Sequence, residues 1–204
     1  MGFFDRNRTK YVEQGIAAER LPPGQYWTER FPVLHVGAVP DYGDLSDWSL
    51  KISGLVERQV TLSWAEFTAL PTVEVIVDIH CVTKWSKFDT VWTGVRYRDL
   101  LALAGVLPEA THVQQHAEFG YASNVPLVDV QGDDALIAYR FNGEPLEGDH
   151  GFPVRTFVPH LYFWKSVKWV REIELLAADE AGFWERNGYH MYGDPFREQR
   201  FTND

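Results

Sequence analysis

The sequence predicts an α+β fold in which mixed β-sheets form a barrel-like core and the helices are short. Three observations predict it. Apolar and polar residues alternate with a period of two, with heavy β-branching, in several separate stretches. Helical spacing is confined to brief segments, and Gly, Pro and Asn punctuate much of the rest. With 204 residues, 45% hydrophobic and 24% charged, the chain can bury one full core, so residues 1–204 are read as a single domain.

Pro22, Pro23, Pro32 and Pro40 fall early, so residues 1–40 read as an extended arm wrapping the domain. Trp48, Leu50 and Ile52 alternate as a strand ending at Gly54, and Val60-Thr61-Leu62 makes a short second one. Ser63-Trp64-Ala65-Glu66 fits a capping box that opens a helix closed by Pro71. Val73, Val75, Val77 and Ile79 then predict a strand with Cys81 just past its end. Tyr97, Leu100, Leu101 and Ala104 have helical spacing before Gly105 and Pro108, a standard stop. Strands are expected near 112–117, 135–141, 153–158 and 167–176, with Asn142-Gly143 as a turn. Residues 177–204, rich in Trp, Tyr, Phe and Gly, read as an irregular tail packed on the body. There is no internal repeat and no low-complexity tract.

A net charge of −10 argues against nucleic acid as a partner, since that affinity rests on Lys and Arg neutralising phosphates. The longest apolar runs fall well short of the roughly 20 residues that a spanning helix needs. The opening MGFFDRNRTKYVEQG turns charged before a secretory apolar stretch can form, which predicts a cytoplasmic location. A single cysteine excludes an internal disulfide and the paired CxxC zinc and redox motifs.

Cys81 begins the loop of HCVTKWSKF, where Lys84 and Lys87 are present and no carboxylate lies between Asp78 and Asp89. Cations beside a cysteine favour its thiolate, which can ligate a metal or attack an electrophile; buried free cysteines are also commonly inert. A second feature lies downstream. The stretch GFPVRTFVPHLYFWKSVKWVR carries Arg155, Lys165, Lys168 and Arg171 and no acid within an acidic protein. Arg and Lys with Ser166 and backbone amides can hold a phosphate. Most charge runs are solvated faces, but interspersed Phe157, Tyr162, Phe163, Trp164 and Trp169 suit a ligand cleft better than a surface.

Taken together, HCVTKWS, WTGVRYRDLL, GYASNVPL, NGEPLEGDHGFPVRTFVP and KSVKWVREIEL resemble the molybdopterin-binding domain of the sulfite oxidase superfamily. The resemblance runs over roughly residues 30–176 in consistent order, and the tail GFWERNGYHMYGDPFREQRF is similar to that of short stand-alone prokaryotic members. It implies the sulfite oxidase molybdopterin-binding fold, a molybdenum-molybdopterin cofactor and two-electron oxygen-atom transfer on a small oxyanion or sulfoxide. By this resemblance Cys81 is the molybdenum ligand, His150 and Arg155 hold the pterin and its phosphate, and Ser166, Val167 and Lys168 form a phosphate-proximal turn. Tyr121 aligns with an active-site tyrosine, while His35 and His116 match pterin contacts more loosely. Lys84 is a candidate to steer an anionic substrate, weighed against a plain surface lysine.

The chain departs from animal and plant sulfite oxidases in that Val82-Thr83-Lys84-Trp85 follows Cys81 where those have an arginine-bearing loop, which puts sulfite in doubt as the substrate. With no haem domain in the sequence, a separate electron-transfer partner is implied; the oligomeric state is open. Three other readings stand beside this one. A metal site on His112 and His116 is disfavoured, because strand-like alternation sets them about 13 Å apart on one sheet face. A cysteine hydrolase would use Cys81 with His150, His160 or Asp149. A non-catalytic cofactor carrier would bind the same group without turnover.

Overall fold

The computed structural model describes residue 15 and residues 17–204. The strands, in chain order, are β1 (Tyr26–Trp27), β2 (Ser49–Gly54), β3 (Val60–Ser63), β4 (Val73–His80), β5 (Trp85–Arg96) and β6 (His112–Ala117). They continue as β7 (Ala122–Pro126), β8 (Leu136–Phe141), β9 (Glu144–Pro145), β10 (Arg155–Phe157) and β11 (Val170–Leu176). Short α-helices span Trp64–Thr68, Tyr97–Ala102 and Phe183–Arg186.

These strands form two open sheets. One has the order β1-β5-β8-β10, with β4 also paired to β5 and β9 to β8; the other has the order β3-β2-β11-β6-β7. The expected barrel-like closure is therefore corrected: among the described residues β3 and β7, at opposite edges of the second sheet, do not pair, and closing a barrel requires that they do. Mixed sheets with short helices are otherwise what the alternation predicts. Within the second sheet β2 and β11 run parallel across more than a hundred residues of sequence, whereas β11–β6 and β6–β7 are antiparallel.

Local chemistry accounts for several elements. Ser63 and Glu66 make the reciprocal capping box, the Glu66 amide donating to Ser63 Oγ at 3.3 Å and the Ser63 amide to Glu66 Oε2 at 2.8 Å. Asn142 and Gly143 both take positive φ, 50° and 82°, as a two-residue turn between β8 and β9 requires. Four strands were not expected, among them the two-residue β1 and β9. β5 crosses HCVTKWSKF, read from sequence as a loop, and β7 holds the polar segment Ala122–Pro126.

The larger apolar core joins Leu50 and Ile52 of β2, Val113 of β6, Ile173 and Leu175 of β11 and the helical Phe67, Tyr97 and Leu100. Each such side chain contributes about 1.5–3 kcal/mol on burial. A second cluster on the first sheet contains Ile79, Trp85, Trp92, Phe157 and Phe163, and Cys81 belongs to it. Of the expected arm, residues 1–14 and 16 lie outside the described residues; the rest holds the 3-10 turn Ala18–Arg20 and β1. No described helix is long and apolar enough to cross a membrane.

Candidate active site

Cys81 leaves β4 into a tight turn. Its carbonyl accepts from the Lys84 amide at 2.9 Å, its amide donates to the Trp85 carbonyl at 2.8 Å, and Lys84 adopts a left-handed φ of 76°. Gln25 Nε2 donates to the same Cys81 carbonyl at 3.0 Å, tying the arm to the turn. The thiol is 8% exposed and lies 3.1 Å from Thr83 Oγ1. Burial pushes it above its ordinary value, while hydrogen bonds from Thr83 and the charge of Lys168 pull it down.

That corrects the sequence argument about its neighbours. Lys84 is exposed and does not line the cleft that Cys81 faces, and Lys87 Nζ is occupied by the Glu29 carbonyl at 2.6 Å. The cation that acts on the thiol, Lys168, comes from far along the chain because tertiary folding sets electrostatic neighbours.

Arg155 and Lys168 are brought side by side by an antiparallel bridge between their backbones. Gly151, at φ 114°, packs between them: a Cβ there would lie 3.2 Å from Arg155 Cβ and 3.3 Å from Lys168 Cβ. Arg155 is 1% exposed. Its Nη1 donates to the His150 carbonyl at 3.0 Å and its Nη2 to the Ser166 carbonyl at 2.7 Å, while Nε is buried with no partner. Among the described residues no carboxylate pairs with it. Burial pushes Arg155 down to about 9. Lys168 Nζ donates to the carbonyls of Asp149 and Leu34, and burial, reinforced by the charge of Arg155, pushes it down to about 7.

His150 stacks on Phe31 with ring centroids 3.9 Å apart, and its Nδ1 is buried without a partner. Burial first, then the charges of Arg155 and Lys168, push it down to about 4. Ser166 Oγ accepts from the Val158 amide at 3.0 Å and the Val167 amide donates to Thr156 Oγ1 at 2.7 Å, so both residues shape the turn beside the cations. His35, with Nδ1 3.0 Å from the Gly37 carbonyl, sits edge-on to Trp169.

Cys81, Arg155, Lys168, His150, His35, Tyr121, Ser166 and Val167 all line one cleft of about 390 Å³. His116 does not; it pairs with Glu174 at 2.7 Å on the second sheet. The basic run also divides. Lys165 is consumed by a fully buried ion pair with Glu185 at 2.6 Å, and Arg171 by Glu118 at 3.4 Å. Sequence reasoning missed Phe31 from the arm and Trp184 and Tyr189 from the tail, which also line the cleft. Only their aromatic character signalled them. His160, offered as a hydrolase partner for Cys81, instead lies 3.1 Å from Asp129.

A family model described as the oxidoreductase molybdopterin binding domain matches residues 36–184. The chain belongs to this molybdopterin-binding oxidoreductase family. Among its relatives, the uncharacterized oxidoreductase YuiH of Bacillus subtilis is 52% identical over 193 residues, covering 95% of this chain and 98% of that protein. The mitochondrial sulfite oxidase of Drosophila melanogaster is 35% identical over 171 residues, 70% of this chain and 30% of that one. The sulfite oxidase of Arabidopsis thaliana is 28% identical, and the chain spans about half of it, 49%. The sulfane dehydrogenase SoxCD of Paracoccus pantotrophus shares the fold, with a TM-score of 0.66 at 23% identity over 76% of this chain and 44% of that one.

Membership makes the protein an oxidoreductase with a molybdenum-molybdopterin cofactor. The residues present fit that group on their own chemistry. Arg155, a buried guanidinium without a counter-charge and with an unpartnered Nε, and His150, with an unpartnered Nδ1, line the same cleft as a thiol, a soft donor type, and a phosphate-bearing pterin dithiolene offers what each of them lacks.

Proposed function

We propose that the chain is a molybdenum oxidoreductase in which the Cys81 thiolate ligates the metal and Arg155 and Lys168 grip the phosphate of the pterin, with His150 and His35 against its organic body. The observation that carries this reading is the shared cleft: the only cysteine of the chain lines the same cavity as the buried Arg155 and the half-buried Lys168, neither of which has a carboxylate partner among the described residues. An unpaired buried charge costs several kcal/mol, and a bound phosphate removes that cost. Bound there, the cofactor supplies two-electron redox chemistry coupled to oxygen-atom transfer with a small oxyanion or sulfoxide.

The chain's own residues do the rest. Burial of Cys81 against Trp85 and Phe163 excludes water from the sulfur, and the Lys168 charge favours its ionised form. Gly151 lets Arg155 and Lys168 stand close enough to share one anion. Ser166 and Val167 fix the turn that aims them. Electrons pass to or from a separate partner, according to the direction of oxygen transfer. Lys84 is exposed and does not line the cleft.

The test is elemental and pterin analysis of protein purified from a host that makes molybdopterin, where about one molybdenum per chain is expected. Cys81→Ser should keep the fold and lose the sulfur-to-metal charge-transfer band, because oxygen is a harder ligand than thiolate. Protein with zinc or no metal, or an unchanged band in the variant, would refute the proposal.

A further inference from the structure

We infer that Tyr189, carried into the cleft by the C-terminal tail, supplies the hydroxyl that meets the substrate, and that Tyr121 does not. The inference rests on the function proposed above. Sequence resemblance points to Tyr121, and both rings line the cleft; the structure separates them by what their hydroxyls already do.

The Tyr121 hydroxyl donates to the Trp164 carbonyl at 3.3 Å. A phenol has one proton to donate, so Tyr121 has none left for a ligand. The Tyr189 hydroxyl makes no hydrogen bond among the described residues. Its ring lines the same cleft as Cys81. With Arg155 and Lys168 assigned to the cofactor in the function proposed above, the Tyr189 hydroxyl is an uncommitted donor on a ring that lines the cleft.

Its position is held rigidly. The ring stacks on Trp184 at 4.8 Å and 19° and meets the edge of Trp164 at 5.1 Å and of Phe201 at 5.7 Å. The Tyr189 amide donates to the Trp184 carbonyl at 3.0 Å, and Tyr189 and Phe201 form an isolated β-bridge. A donor fixed before substrate arrives avoids the ordering cost of recruiting one. The oxygen of a sulfoxide or an oxyanion accepts such a bond in the same way.

The experiment uses the loaded enzyme and Tyr189→Phe, which keeps the ring and its stacking. Molybdenum and pterin content are measured first. Binding of dimethyl sulfoxide and of sulfite is then titrated through the shift each causes in the metal absorption band. The expected result is full cofactor content and a Kd raised about tenfold for the probe that wild type binds, the scale of one lost hydrogen bond. A variant with full molybdenum and a wild-type Kd overturns this assignment and leaves the proposed function standing, as does a rise in Kd in Tyr121→Phe but not in Tyr189→Phe. Wild-type protein without molybdenum overturns the proposed function and this inference with it.

Discussion

The guanidinium of Arg155 lies over the face of Phe163, 4.1 Å from the ring centroid. An arginine stacked on an aromatic ring keeps its charge while shedding water, so the cation is held ready without a carboxylate that a ligand would have to displace.

Arg155→Met should therefore lower cofactor retention. Charge-assisted hydrogen bonds are worth about 1.5–3 kcal/mol each, so at least about a tenfold loss of bound pterin is expected on dialysis, read by fluorescence of the oxidised pterin. Full retention would place the phosphate elsewhere.

Lys168 predicts a pH dependence of the cofactor-free protein. Its folded value is about 7 against an ordinary 10.5, so above pH 7 the unfolded chain binds the extra proton and stability rises with pH. Above about 9, Cys81, with its raised value, acts in the opposite sense, while Arg155, pushed down to about 9, adds to the rise, so Lys168 is read most cleanly between pH 7 and 9. Urea unfolding of Lys168→Met should show a flatter profile between pH 7 and 9 than wild type. An identical slope in the two proteins would remove Lys168 as its source.

Glu185→Ala should be severe. Its carboxylate meets Lys165 with both side chains 0% exposed and also accepts from Trp164 Nε1 at 2.8 Å. Breaking a buried pair on one side costs about 3–5 kcal/mol. Denaturant unfolding should show a loss of that size; under 1 kcal/mol would mean that the pair is not buried in solution.

His116→Ala should leave molybdenum and pterin content unchanged. Its pair with Glu174 is 37% exposed on each side, and such surface pairs contribute about 0–1 kcal/mol. Loss of cofactor in this variant would restore the role that sequence resemblance gave it.

Elements whose cause is local were legible in the sequence. The Ser63–Glu66 capping box, the β-branched alternation of β4 and the Asn142-Gly143 turn each depend on neighbours within a few residues. β5 was hidden because Asp89 takes a left-handed φ of 53° within it and its pairing with β4 shifts register between Val77 and Ile79, so the period is broken. The site was half legible. Cys81, Arg155, Lys168 and His150 stand in motifs, but composition could not show that Lys165 and Arg171 are neutralised by Glu185 and Glu118, since pairing over 20 or 53 residues is decided by folding. Trp184 and Tyr189 follow no period that marks them as cleft wall.

The Lys165–Glu185 pair has a bearing on biogenesis. The cavity draws its walls from Phe31 through Tyr189, so a ribosome must make nearly all of these residues before the last panel can be stitched into place. Prosthetic-group loading then waits until the chain through Tyr189 has been made, and a nascent chain halted before residue 185 should emerge unable to capture its pterin.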